Sequence, residues 1–404
     1  MIKNNLNFFN NIQKKNLDSK SIKKFTKLFP KIFSKVFTDI NSSKKTLNIL
    51  NRKFNFNFEF KDLEKFKSFK TIAIIGMGGS ILGSEAVSHF LKEKINKKIY
   101  FFNDLNIKKI QNFKKKKNLN KVLFFVISKS GNTVETLSNF FTLKIIKKNS
   151  KNIIIISEKK NNLLYSLSKK FNLFYIEHKN YIGGRYSVLS EAGVVPAYLM
   201  GININKLRSG SLKSLKKTQL FLKDSTIMLS SLLSFKKIDN LIFLNYCPEL
   251  EKFLFWCQQL IAESLGKNGK GFLPTISNAP KDHHSLLQLY LDGPKNKLFY
   301  IFSNEESSKE KINIKEILKE KNFLNNKTLS SIKKAQKNAL IKTLKNKNIP
   351  FREFKIKNIN EEVLGELFSY FILETVIIGK LTNINPFDQP AVEQVKIYTK
   401  DLLN

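Results

Sequence analysis

The strongest constraint on the fold is a unit that recurs along the chain: a short apolar run, a loop rich in glycine or hydroxyls, then a helical stretch. It first appears at residues 71–75, where the run ends in Gly76-Met77-Gly78-Gly79-Ser80 and a helix is predicted over 81–94. It returns at 121–127, with a helix over 133–148, and a further strand is predicted at 152–157. Strands that alternate with helices build parallel sheets covered on both faces, because a parallel connection must cross back over the sheet. A second run of this kind has strands at 240–246, 297–302 and 351–356, with helices at 250–265 and 361–378. Between the two runs, the polar stretch 206–217 reads as a linker. Residues 1–65 place Phe25, Leu28, Phe29, Ile32, Phe33 and Phe37 at helical spacing and are predicted to form helices and polar connectors.

A chain of 404 residues has room for two or three domains of roughly 150 residues each. Its 71 Lys plus Arg outnumber 32 Asp plus Glu, a formal net charge of +39. So basic a protein would gain counterion-release affinity for any polyanion. The chain is also saturated with Lys, Asn and Ile, whose codons are A/T-rich, and its lysines are scattered through every segment rather than gathered into a stripe. Genome composition would produce the same excess, which leaves the charge either a composition bias or a functional surface, and no nucleic-acid partner is expected. Lysine runs such as 114–117 read as solvated faces, although the surface potential still attracts small anionic substrates.

Cys247 and Cys257 are the only cysteines. They form no C-x-x-C pair and no Cys/His cluster of zinc spacing, which excludes a disulfide framework and points to a reducing compartment. Residues 1–17 lack the apolar core of a secretory signal. The longest apolar runs, 122–127 and 153–156, fall far short of the roughly 18 residues of a membrane span. A soluble cytoplasmic protein is therefore expected, with no membrane partner.

The loops carry the chemistry. In Gly76-Met77-Gly78-Gly79-Ser80-Ile81-Leu82-Gly83 the glycines let backbone approach an anion at a helix start. The spacing is neither G-x-G-x-x-G nor a nucleotide P-loop. In Ser128-Lys129-Ser130-Gly131-Asn132-Thr133 several hydroxyls open a helix, more than the single one an N-cap needs. Such a cluster, with the helix dipole behind it, forms a cage for a phosphate monoester. Both loops follow parallel strands, so they face one crevice that fits a sugar phosphate.

Further candidates lie downstream. Arg185, in Gly183-Gly184-Arg185-Tyr186-Ser187-Val188-Leu189-Ser190, offers a planar fork for an oxyanion. Gln259 and Glu263 share a helix face, and Glu263 sits just before the Gly266 stop, where it reads either as a general base or as a solvated partner of Lys267. Either His283 or His284 could shuttle a proton near neutral pH, whereas adjacent histidines seldom ligate one metal. Gln389 and Lys396 lie in a proline-bounded loop and the short helix that it opens.

Taken in order over residues 70–396, these segments resemble the glucose-6-phosphate isomerase family, also called phosphoglucose isomerases. The resemblance is most specific in the segment around Arg185 and in Asn385-Pro386-Phe387-Asp388-Gln389-Pro390-Ala391-Val392-Glu393. It implies an α/β fold of two sugar-isomerase (SIS-type) doubly wound parallel-sheet subdomains. These would be a helical N-terminal segment 1–65, a first subdomain 66–205 with the phosphate loops, a second 206–380, and a closing loop and helix 381–404. By the same resemblance Ser80, Ser128, Ser130 and Thr133 form the phosphate cage, with a backbone N–H from Gly79. Glu263 matches the base moving a proton between C2 and C1, and Arg185 the group facing the enediolate. His284 matches the ring-opening acid/base, Lys396 its assistant, and Gln259 and Gln389 substrate contacts. The implied substrate is a hexose 6-phosphate, no cofactor or metal is needed, and a second subunit contributes the histidine in a homodimer. Two rivals keep much of this pattern: an isomerase that also accepts mannose 6-phosphate, and a non-catalytic sugar-phosphate sensor.

Overall fold

The computed structural model describes residues 6–217, 219–235, 237–306, 308–314 and 322–403. In chain order the strands are β1 Leu6–Asn11, β2 Thr71–Gly76, β3 Lys98–Phe102, β4 Val122–Ile127, β5 Ile153–Ser157, β6 Phe174–Glu177, β7 Asn240–Asn245, β8 Leu273–Asn278, β9 Lys297–Asn304 and β10 Phe351–Ile356. They build two five-stranded sheets, ordered β3-β2-β4-β5-β6 and β1-β10-β9-β7-β8.

The first sheet is parallel throughout. Strands β4 and β5 are buried along their whole length, the consequence of helices covering both faces. The order reverses between β2 and β4. Gly76 pairs with Ile127 at the carboxyl ends of these strands, so the two loops that follow emerge side by side at the topological switch point, where such sheets open a crevice.

In the second sheet β7, β8, β9 and β10 are parallel, and β1 joins antiparallel to β10. The N-terminal segment is therefore not all helical, contrary to the sequence expectation. Residues 1–5 lie outside the described residues. In β1, Leu6 is buried and Phe8 stacks on Phe221, while Asn10, exposed at the strand's end, accepts from Arg352 Nε at 3.3 Å. Arg352 is wholly buried and pairs with Glu374 at 2.9 Å. A buried ion pair of this kind holds only when its other donors are met, and Tyr300 and Ser225 meet them.

Residues 206–217 are likewise not a linker. They lie in the helix Ile204–Lys217, which crosses the buried helix Glu361–Leu381 in backbone contact. A methyl on Gly210 would come within 1.9 Å of Glu362 O, and one on Gly365 within 1.9 Å of Leu207 O. The small residues that resemble linker composition are there because the helices touch. Among the described residues, no helix is long and apolar enough to cross a membrane.

Candidate active site

The hydroxyl loop follows β4. Ser128 Oγ lies 2.8 Å from Thr133 Oγ1 and 3.5 Å from Ser130 Oγ, and accepts the Gly131 N–H at 3.1 Å. Gly131 takes φ +69°, and a Cβ there would strike Asn162 Oδ1 at 1.8 Å, so only glycine permits this turn. Thr133 stands at the N-terminus of the helix Val134–Leu143, where the dipole adds to the donors in favouring an anion. The neighbouring Lys129 donates to Asn180 O at 2.7 Å and lies 3.6 Å from Glu158. Desolvation lowers its pKa, with Glu158 opposing the shift.

The loop after β2 packs against two other segments. Gly78 takes φ +52° beside the Gln259 amide, and a Cβ on Gly79 would lie 2.1 Å from the Gly184 carbonyl carbon. Ser80 ends this turn half-buried. Glycine at 79 thus lets the β2 loop lie directly on the turn that presents Arg185.

Arg185 is only 2% exposed, yet all five of its N–H donors have acceptors. Nε donates to Ser264 Oγ at 2.8 Å, Nη1 to Glu263 Oε2 at 3.2 Å and Gln389 Oε1 at 2.7 Å, and Nη2 to the carbonyls of Pro386 at 2.7 Å and Asp388 at 2.9 Å. Glu263 lies in the last turn of the helix Glu251–Leu265 and is 32% exposed. It lines a cleft of about 800 Å³ together with Lys267, Lys270, Asp388, Gln389 and Val392. A rigid guanidinium beside a carboxylate that opens to a cleft can stabilise oxyanion charge while the carboxylate takes a proton.

The alternative partner for Glu263 is engaged elsewhere: Lys267 binds Asp388 Oδ1 at 2.7 Å and the Asn385 carbonyl. The two histidines differ as well. His283 Nε2 meets Tyr246 OH at 2.7 Å, and burial pushes its pKa down. His284 is exposed, and its ring makes no hydrogen bond among the described residues.

A model of the family described as phosphoglucose isomerase matches residues 34–404. The chain belongs to that family. Among its relatives, a glucose-6-phosphate isomerase of Methanocaldococcus jannaschii is 33% identical over 349 residues, spanning 83% of this chain and 86% of that protein. One of Campylobacter jejuni is 29% identical over the same shares. A hypothetical protein from Thermus thermophilus shares the fold at a TM-score of 0.82 and 21% identity, covering 98% of this chain and 100% of that one. The phosphoglucose isomerase fold is seen again in a glucose-6-phosphate isomerase from Chlamydia trachomatis, at a TM-score of 0.78 and 16% identity over 99% of this chain and 88% of that one.

Of the residues expected from sequence, one chain brings together Arg185, Glu263, Gln259 and Gln389. It does not bring in His284 or Lys396. Asn278, which precedes the histidine turn, donates to Glu251 Oε1 at 2.9 Å, in the first turn of the helix that carries Glu263 in its last. Twelve residues of helix, about 18 Å at 1.5 Å per residue, separate those turns. Lys396 lies on the exposed helix Glu393–Asp401 and pairs with Glu393 at 2.6 Å. In this phosphoglucose isomerase family member the sequence reading also missed Ser264, Tyr186 and Trp256, which hold Arg185. Chain adjacency was the available signal, since Tyr186 follows Arg185 and Ser264 follows Glu263.

Proposed function

We infer that the chain performs the family's aldose–ketose isomerisation, interconverting glucose 6-phosphate and fructose 6-phosphate, and we assign its steps to the residues of this site. Ser80, Ser128, Ser130 and Thr133, with the Gly79 N–H, bind the phosphate. Ring opening moves a proton onto the ring oxygen and another off the C1 hydroxyl, with His284 and Lys396 as the partners. The Glu263 carboxylate then takes the C2 proton, and the freed electron pair makes the C1–C2 double bond of a cis-enediolate. Arg185 meets the oxygen charge that develops, and Gln259 and Gln389 hold the sugar hydroxyls. Return of the proton at C1, with the O2 proton passing to O1, leaves the ketose. The Arg185–Glu263 pair at 3.2 Å, in contact through Gly79 with the loop beside the hydroxyl cage, carries this reading.

The anchoring of the strand before the histidine turn at Glu251, twelve helical residues from Glu263, supports a homodimer in which a second copy supplies His284. The two free, buried cysteines fit a cytoplasmic setting.

The test is interconversion of the two hexose phosphates by purified protein in excess EDTA, with mannose 6-phosphate alongside. Turnover of glucose 6-phosphate alone is expected. Saturable binding without turnover would overturn the enzyme in favour of a sensor. Mixing inactive Glu263→Gln and His284→Ala proteins tests the shared site: activity returns if subunits exchange and complement, and stays absent if each chain holds its own histidine.

A further inference from the structure

Behind the guanidinium of Arg185 lies a closed circuit of hydrogen bonds whose direction follows from donor counting. Arg185 Nε can only donate, so Ser264 Oγ accepts at 2.8 Å. The Pro386 carbonyl can only accept, and it receives both Arg185 Nη2–H at 2.7 Å and Tyr186 O–H at 2.8 Å. With its proton committed to Pro386, Tyr186 must accept from Ser264 across their 2.9 Å contact. The ring therefore runs Arg185 Nε–H to Ser264, Ser264 O–H to Tyr186, and Tyr186 O–H to Pro386, where Arg185 Nη2–H also ends. Ser264 and Tyr186 are both completely buried, so no water competes for these bonds. The backbone is pinned too, since Trp256 Nε1 donates to Arg185 O at 3.1 Å.

This circuit holds the back edge of the guanidinium and leaves Nη1 as the nitrogen shared by Glu263 and Gln389 on the cleft side. We propose that Ser264 and Tyr186 are positioning residues for the isomerisation, fixing the guanidinium plane so that Nη1, whose hydrogen on Gln389 turns to the substrate when the sugar binds, meets the oxyanion of the enediolate. The proposal rests on the function inferred above. Neither hydroxyl touches substrate. Their effect is transmitted through Arg185, and it belongs to the transition state because the charge that Nη1 meets is greatest there.

The experiment compares wild type with Tyr186→Phe, Ser264→Ala, the double variant and Ser264→Thr, which keeps the hydroxyl. In Tyr186→Phe and Ser264→Ala, kcat is expected to fall roughly 10- to 100-fold, while KM for fructose 6-phosphate stays within about threefold. A five-carbon aldonic acid 5-phosphate, whose planar carboxylate imitates the enediolate oxygens, should lose affinity by the same factor as kcat. Inorganic phosphate should bind unchanged. Because either substitution opens the same circuit, the double variant should lose no more than the worse single one, and Ser264→Thr should recover most of the turnover. The proposal is overturned if Tyr186→Phe, which preserves shape, keeps wild-type kcat and shows only a lowered melting temperature. It is overturned equally if KM rises in step while kcat holds. A wild-type protein with no isomerase activity would instead overturn the underlying function, and the wild-type assay reads that outcome first.

Discussion

Glu263 accepts the Gln259 amide on Oε1 at 2.9 Å and Arg185 on Oε2 at 3.2 Å, so both of its oxygens are oriented by neighbours while the side chain stays open to the cleft. Gln259 in turn abuts Gly78 of the β2 loop, where a Cβ would lie 2.7 Å from its amide nitrogen. The base is thus fixed by contacts reaching from both sheets. Glu263→Gln keeps the shape and removes the proton acceptor. Turnover is expected to fall roughly 10²- to 10⁴-fold with sugar-phosphate binding retained. Steady-state kinetics and equilibrium binding check this together, and a variant that turns over like wild type removes Glu263 as the base.

The hydroxyls after β4 should act on binding rather than chemistry. Each would donate to a charged phosphate oxygen, an interaction of about 1.5–3 kcal/mol, and the phosphate is far from the bonds that change. Ser128→Ala and Thr133→Ala are each expected to raise KM roughly 10- to 100-fold with kcat near wild type. A loss confined to kcat would place this loop at the reacting carbons.

The sequence made β2, β4, β5, β7 and β9 legible because each is a largely apolar run ending in turn residues, and β10 by Phe351, Phe354 and Ile356 despite its three charged residues. It hid β1, where Phe9 is 48% exposed beneath Lys355 and the neighbouring Asn10 is exposed too while bonding Arg352. This breaks the alternation by which a strand is recognised. The strands β3, β6 and β8 are short or carry polar residues and give equally little signal. At the site, Arg185 and Glu263 were legible as chemistry, whereas Ser264 and Tyr186 were not, since a hydroxyl next to a functional residue has meaning only once the fold shows what it touches. His284 and Lys396 were given their roles by resemblance, since neither sequence pattern by itself sets them apart.

The crossing of the helices Ile204–Lys217 and Glu361–Leu381 gives a stability test of the misread linker. An alanine at Gly365 would force its Cβ to 1.9 Å from Leu207 O, a backbone atom with no rotamer to yield. Alanine has the better helix propensity, so a free-standing helix would gain from the change. Here the expected result is a loss of about 1–3 kcal/mol or more, typical of overpacking. A lower urea midpoint at unchanged slope would show it. Equal or greater stability would mean the helices do not approach this closely.

His178 sets an acid limit on the first sheet. It closes β6 one residue after Glu177, with its backbone N–H on Ser157 O at 2.8 Å and its ring Nδ1 3.0 Å from Lys179 O. Burial drives its pKa down from 6.5 to about 4, with repulsion from Lys129 in the same direction. The folded pKa is below the unfolded one, so the unfolded chain binds the proton first as pH falls. The stabilising contribution is complete above pH 6.5, declines between 6.5 and about 4, and amounts to about 3 kcal/mol over that window. Buried carboxylates titrate nearby with the opposite sign: Glu191, its pKa raised by burial, takes up protons more readily in the folded chain. The histidine must therefore be isolated by difference. In His178→Asn an amide replaces the ring as donor to Lys179 O and does not titrate. Unfolding free energies of the two proteins, measured from pH 8 to 4, should converge by about 3 kcal/mol as acid is added. A constant difference would mean that His178 is protonated as easily in the folded protein as in the unfolded chain.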